Sequence, residues 1–144
     1  MRREELNMDL VQYWGLITRW VVKTTELNRA DLELLIYLNP IQYFTINDFK
    51  TGTLLYSWDV NRFHRLQRED WITKIHDGRG RAGGHSKYVV SSKGKRLINR
   101  IGRILDGRED LPESKKRNKI MKRETFTDKL YSEAIKKFNK REHS

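Results

Sequence analysis

A chain of 144 residues with no cysteine, 37% hydrophobic and 34% charged, carries a formal net charge of +11. That composition supports one compact domain with an extension and a modest core, to which a dimer contact would add buried surface. It excludes disulfides and thiolate metal sites, and no apolar run approaches the ~20 residues that span a bilayer.

The opening Met1-Arg2-Arg3-Glu4-Glu5 lacks the apolar stretch of a secretion signal. A cytoplasmic protein is expected. The positive charge is unevenly placed. Residues 1–49 hold 5 Lys/Arg against 7 Asp/Glu, residues 50–103 hold 13 against 4, residues 104–112 hold 1 against 3, and residues 113–144 hold 11 against 5. Two cationic segments separated by near-neutral ones point to a polyanionic partner rather than to general solubility.

In chain order, Leu6, Leu10, Trp14, Ile17 and Val21 recur at helical spacing and predict a helix over 6–24. Tyr13 and Trp20 fall off that stripe, so this helix is expected to pack on two sides, the second being a partner subunit. A second helix is predicted over 28–39, with Asn28 as N-cap, Asp31 near the positive end of the helix dipole and Leu32, Leu35 and Leu38 inward. Asn39-Pro40 stops it. Thr45 caps a short third helix ending at Gly52. Ser57 caps a fourth running to about Asp70, with Val60, Phe63 and Leu66 inward. At 100° per residue its opposite face presents Trp58, Asn61, Arg65 and Arg68, with Arg62 at the border. Strand character follows at 71–76 and 86–91, around a 77–85 turn containing four glycines. Ser91 or Ser92 caps a fifth helix with Leu97, Ile98, Ile101, Ile104 and Leu105 inward. A polar connector spans 106 to about 114. From about 115 the chain is expected to be helical again, with Phe126, Leu130, Tyr131, Ala134, Ile135 and Phe138 on one face.

The expected fold is therefore mainly α with a small β-hairpin: a winged helix-turn-helix core at 27–105, flanked by a dimerisation helix at 1–26 and by a connector and basic amphipathic helix at 106–144. In such a module the second helix of the pair enters the major groove. The candidate recognition residues are Ser57, Trp58, Asn61, Arg62, Arg65 and Arg68; Asn pairs with adenine and Arg with guanine or phosphate. Arg79 and Arg81 on the glycine-rich turn are candidates for a narrow minor groove. His85, Lys87, Lys93 and Lys95 are candidate flanking contacts, the lysines to phosphates. Lys115, Lys116, Arg117, Lys119, Lys122 and Arg123 form a possible accessory nucleic-acid contact.

The same segments resemble the MarR-type (multiple-antibiotic-resistance-regulator) family across roughly 27–105. Leu27 to Leu38 follows that family's second-helix pattern. Phe44-Thr45-Ile46-Asn47-Asp48-Phe49 resembles its third-helix opening, and Leu66 to Ile72 its turn after the recognition helix. Asp77-Gly78-Arg79 matches its D-x-R wing, and Val90-Ser91-Ser92-Lys93-Gly94 its return to helix. The resemblance implies a homodimer paired through the first and last helices, each subunit gripping half of a palindromic duplex site. The chain departs from the family in having Asp70 in place of glycine, a longer wing and a basic C-terminal region.

The function expected is sequence-specific regulation of transcription. The alternatives are a non-sequence-specific architectural or nucleoprotein component and a winged-helix adaptor for an acidic protein. Gly78 to Gly83 matches G-x-G-x-x-G, but a nucleotide site needs a helix directly after it and a strand is predicted there. His64, His76, His85 and His143 are scattered, without a carboxylate pair at ligand spacing. No cofactor, metal, membrane or enzymatic chemistry is expected, and nothing in the sequence identifies an effector pocket.

Overall fold

The computed structural model describes the backbone at residues 3–52, 60–78 and 85–141, and the side chains at 11–49, 60–78 and 85–141. The elements are α1 (Arg3–Thr24), α2 (Arg29–Leu38), α3 (Ile46–Gly52), α4 (Val60–Arg68), β1 (Ile72–His76), β2 (Lys87–Val90), α5 (Ser92–Leu105), a 3-10 helix (Lys119–Lys122) and α6 (Phe126–Asn139). Among the described residues the chain is mainly helical with a small two-stranded antiparallel sheet. No described helix is long and apolar enough to cross a membrane. Contacts divide the chain into two units, one made of Met1–Asn28 with Arg100–Ser144, the other of Arg29–Asn99.

The 29–99 unit is built around leucines and aromatics. Leu32, Leu34, Leu35 and Leu38 of α2 are fully buried, as the leucine spacing predicts. The Phe63 ring meets Phe49 at 5.1 Å and Tyr88 at 4.9 Å, both edge-on, so α3, α4 and β2 converge on one aromatic side chain. Thr45 caps α3 as expected, and Asp48 completes a capping box: Thr45 N–H donates to the Asp48 carboxylate at 3.0 Å and Asp48 N–H to Thr45 Oγ1 at 3.2 Å. Val60 departs from the expected inner stripe, being 45% exposed, while Phe63 and Leu66 are buried.

At the end of α4, Trp71 N–H reaches Leu66 O at 2.8 Å and Asp70 N–H reaches Gln67 O at 3.1 Å. This is a Schellman closure, and Asp70 takes its left-handed position at φ 66°. β1 then pairs with β2 in the register Ile72↔Val90, Thr73↔Val89 and Lys74↔Tyr88, with an irregularity between Lys74 and His76. Phe44, just before α3, adds an isolated antiparallel bridge to Tyr88. Their N–H and C=O groups exchange two bonds, each 2.8 Å long. Ser91 is the cap of α5, accepting from Gly94 N–H at 3.1 Å while donating to Asp70 O at 2.6 Å. One hydroxyl thus joins the exit of α4 to the start of α5.

In the other unit, Leu16, Ile17, Trp20 and Val21 of α1 share a core with Ile101, Ile104, Leu111, Ile120, Ile135 and Phe138. Trp20, expected off the main stripe, is buried, and Trp14 is only half-buried. Leu105 is 36% exposed rather than inward. The 106–114 segment is polar and mostly exposed, but it is anchored at Leu111 and Pro112, both buried. Leu111 is 1% exposed, and its N–H and C=O both bond the Asn139 side-chain amide at 2.9 Å. The helix expected from about 115 does not form there. Asn118 caps the short 3-10 turn, Arg123 ends it at φ 53°, and α6 starts only after the Thr125 cap. On α6, Ile135 and Phe138 are buried, whereas Phe126 (75%) and Leu130 (57%), expected on the same apolar face, stand exposed.

Candidate nucleic-acid interface

The described part of α4 has three kinds of position. Phe63 and Leu66 are buried in the aromatic core. Val60, Asn61, His64 and Arg68 are exposed, at spacings that keep them on one side of the helix. Arg62 and Arg65 lie between and are turned to α2. Arg65 Nη2 donates to both oxygens of Asp31 at 2.8 Å, and Arg62 Nε lies 3.1 Å from Asp31 Oδ1. Arg65 also approaches Glu69 at 3.6 Å. Asp31 is completely buried, while the arginine side chains keep 15% (Arg62) and 29% (Arg65) exposure.

A carboxylate withdrawn from water needs compensating charge and donors, and two guanidiniums supply both. Burial works against the charged form of Arg65, yet the hydrogen bonds and charge of Asp31, with Glu69 assisting, hold its pKa above the ordinary value. The expectation that Arg65 stands on the outward face, with Arg62 at its border, is therefore corrected. Both guanidiniums tie α4 to α2, and the outward face belongs to Asn61, His64 and Arg68. Sequence reasoning left His64 out. The available signal was its position three residues after Asn61 and four before Arg68.

Ser57 and Trp58, at the expected start of the recognition helix, lie outside the described residues, as do Arg79 and Arg81 of the turn. The neck of that turn is described. A Cβ on Gly78 would fall 2.5–2.8 Å from the backbone of His85, so only glycine lets the two chains pass this closely. Gly78 N–H donates to Ser86 Oγ at 3.2 Å. An open cleft of about 330 Å³ lies beside this neck, lined by Thr45, Asn47, Lys74, His85 and Ser86 among others. Lys74 was not predicted. Its signal was a lone cation in a strand entering the glycine-rich turn.

Three of the expected flanking residues take different roles. Lys95 is exposed, with no charged partner among the described residues. Lys87 sits with Nζ 4.4 Å from the centre of the Tyr43 ring. Lys93 occupies the first turn of α5, where a cation opposes the helix dipole. It folds back instead to the other end of α4, donating to Glu69 O at 3.0 Å and lying 4.1 Å over the Trp71 ring. Lys93 is thus a brace, and its expected phosphate contact would compete with that bond. His85 is exposed at the cleft rim. Among the described residues no group of three His, Asp or Glu side chains is placed to hold a metal ion.

Comparison with protein-family models, with curated proteins and with solved structures finds no match for this chain.

By sequence the 29–99 unit is rich in cationic donors. It holds 12 Lys/Arg against 7 Asp/Glu, and two of those acids, Asp31 and Glu69, are occupied by Arg62, Arg65 or both. The accessory candidates Lys115, Lys116, Arg117, Lys119, Lys122 and Arg123 belong to the other unit, where all six are exposed.

Proposed function

We propose that the chain binds duplex DNA as a MarR-like winged-helix regulator of transcription, acting as a homodimer. The observation that carries this reading is the Phe44–Tyr88 backbone bridge. It fastens the segment before α3 to β2 and so ties the β1–β2 hairpin to the start of the α3–α4 pair, an arrangement that favours a winged helix-turn-helix. In this reading the Asn61–His64–Arg68 edge of α4 faces the major groove, Asn61 and Arg68 supplying side-chain types that pair with adenine and guanine. Lys74, His85 and Lys95 meet phosphates, and Arg79 and Arg81 extend the hairpin contact to the minor groove. Support for the dimer comes from the apolar side chains that α1 and α6 leave in water, Val11 at 74%, Phe126 at 75% and Leu130 at 57% exposure.

A second reading has its own support. With Arg62 and Arg65 engaged by Asp31, α4 offers fewer donors to base edges, which favours a non-sequence-specific nucleic-acid binder. Selection from random duplexes followed by anisotropy titration over a salt series separates the two. A regulator enriches one palindromic motif and keeps a preference of roughly 10³-fold or more for it at physiological salt. An architectural binder shows the salt slope without the motif. No duplex affinity at low salt overturns both readings.

A further inference from the structure

The six cations at 115–123 project from a backbone that a buried scaffold fixes in place. At its centre is Asn118, with no exposure. Its backbone N–H donates to Ser114 O at 2.9 Å and its side-chain amide to Pro112 O at 2.9 Å, while its side-chain carbonyl accepts from Ile120 N–H at 3.1 Å. Trp20 Nε1 of α1 donates to Arg117 O at 3.4 Å. Ile120 and Met121 point inward, and the left-handed Arg123 closes the turn with its N–H on Ile120 O at 3.0 Å.

Every apolar side chain of the segment is consumed by this anchoring and every cation is left outside. Arg123 alone has an acidic partner among the described residues, Glu133 at 3.5 Å, an exposed pair of little strength. A solvated charge run needs no such pinning. A surface that must meet a regular array of anions gains from it, because less backbone freedom is lost on binding.

We propose that residues 115–123 form a preorganised docking surface for the sugar-phosphate backbone of duplex DNA, in addition to α4 and resting on the DNA-binding reading above. The observations select this partner over the alternatives. A membrane-surface segment needs exposed apolar side chains to enter the acyl boundary, and Ile120 and Met121 are buried. A protein interface needs a central aromatic or apolar anchor, and the exposed side chains from 115 to 123 are Lys and Arg only. What is left is a set of point charges without base-reading geometry, suited to phosphates and indifferent to sequence.

The test uses the full chain and a variant carrying Lys115→Gln, Lys116→Gln, Lys119→Gln and Lys122→Gln, none of which touches the anchoring bonds. Affinity for a duplex of about four helical turns is measured across a salt series, with thermal unfolding as a control. At about 0.9 per phosphate contact, the slope of log K against log salt is expected to fall by roughly 2–4, with at least a tenfold loss of affinity near 0.1 M salt and an unchanged melting curve. Any sequence preference of the parent is expected to survive. An unchanged slope and affinity overturns this inference while leaving the α4 reading intact. Loss of binding to phosphatidylglycerol vesicles without any change on duplex also overturns it, in favour of a membrane contact. If the parent itself binds no duplex, the DNA-binding reading falls and this inference with it.

Discussion

Replacing Asp31 with alanine is expected to loosen α4 from α2. The carboxylate is fully buried, and its partners Arg62 and Arg65 keep 15% and 29% exposure. Removing one partner of a fully buried ion pair costs about 3–5 kcal/mol. Here the groups left behind are arginines that still reach water, so the cost is nearer 2–3 kcal/mol. At about 2.1 cal/mol/K of unfolding entropy per residue, each kcal/mol moves the Tm of a chain this long by roughly 3 °C, and Asp31→Ala is expected to melt roughly 6–10 °C low. Arg65→Ala leaves Asp31 with Arg62 and is expected to cost about 1–2 kcal/mol. Circular-dichroism melts of the two single variants and the double variant, at neutral pH, close a cycle whose coupling energy is expected to exceed about 1 kcal/mol. The contrast with base reading is sharp. If Arg65→Ala melts with the parent yet loses duplex affinity for one sequence only, the ion-pair reasoning is refuted and Arg65 reads a base.

Three further outcomes are expected. Asp128 is buried at the start of α6, and although burial opposes its charge, Lys23 and Arg19, each 3.0 Å away, hold its carboxyl below the ordinary range. Its stabilising effect is therefore present above the ordinary carboxylate value and disappears as pH falls through the depressed folded value; Asp128→Asn should melt lower than the parent at pH 7, and the gap should narrow steadily as melts are taken to progressively lower pH. Asp70 holds φ 66° without being glycine, so Asp70→Gly should raise stability by about 0.5–1 kcal/mol in urea titrations, and a loss instead would mean that the Asp70 side chain contributes more than its backbone strain. Gly78→Ala places a methyl against the His85 backbone at 2.5 Å; it should cost about 1–3 kcal/mol and, in the DNA-binding reading, weaken duplex affinity by opening the turn, and a variant with parental melting and binding would show that the neck widens freely.

The elements were largely legible because their signals are local. The Thr45–Asp48 capping box, the Asn39-Pro40 stop and the strands on either side of the glycine-rich turn depend on residues a few positions apart. Asp31 shows where that logic ends. A carboxylate in a helix's first turn has a sufficient local explanation in the dipole, and its burial follows from Arg65, 34 positions away. The helical wheel of α4 separated inner from outer residues correctly at Phe63 and Leu66. It could not say that two flanking guanidiniums turn sideways to a neighbour, since amphipathic spacing records only polarity. The C-terminal region misled through propensity. Lys and Arg favour helix in isolation, so 115–125 read as helical. The buried Asn118 amide, bonded to backbone on both sides of it, selects a turn instead. On α6, the apolar spacing merged two groups that the fold separates, Ile135 and Phe138 inside, Phe126 and Leu130 outside.

The bonds that shape the 111–123 stretch come mainly from neutral groups: the amides of Asn118 and Asn139, the Trp20 indole and the backbone itself. Counter-ions screen attraction between charges far more than bonds between dipoles. Raising ionic strength should thus silence the lysines while leaving the turn beneath them intact, and a chain released from a polyanion by salt would keep its grip ready-made for the next dilution.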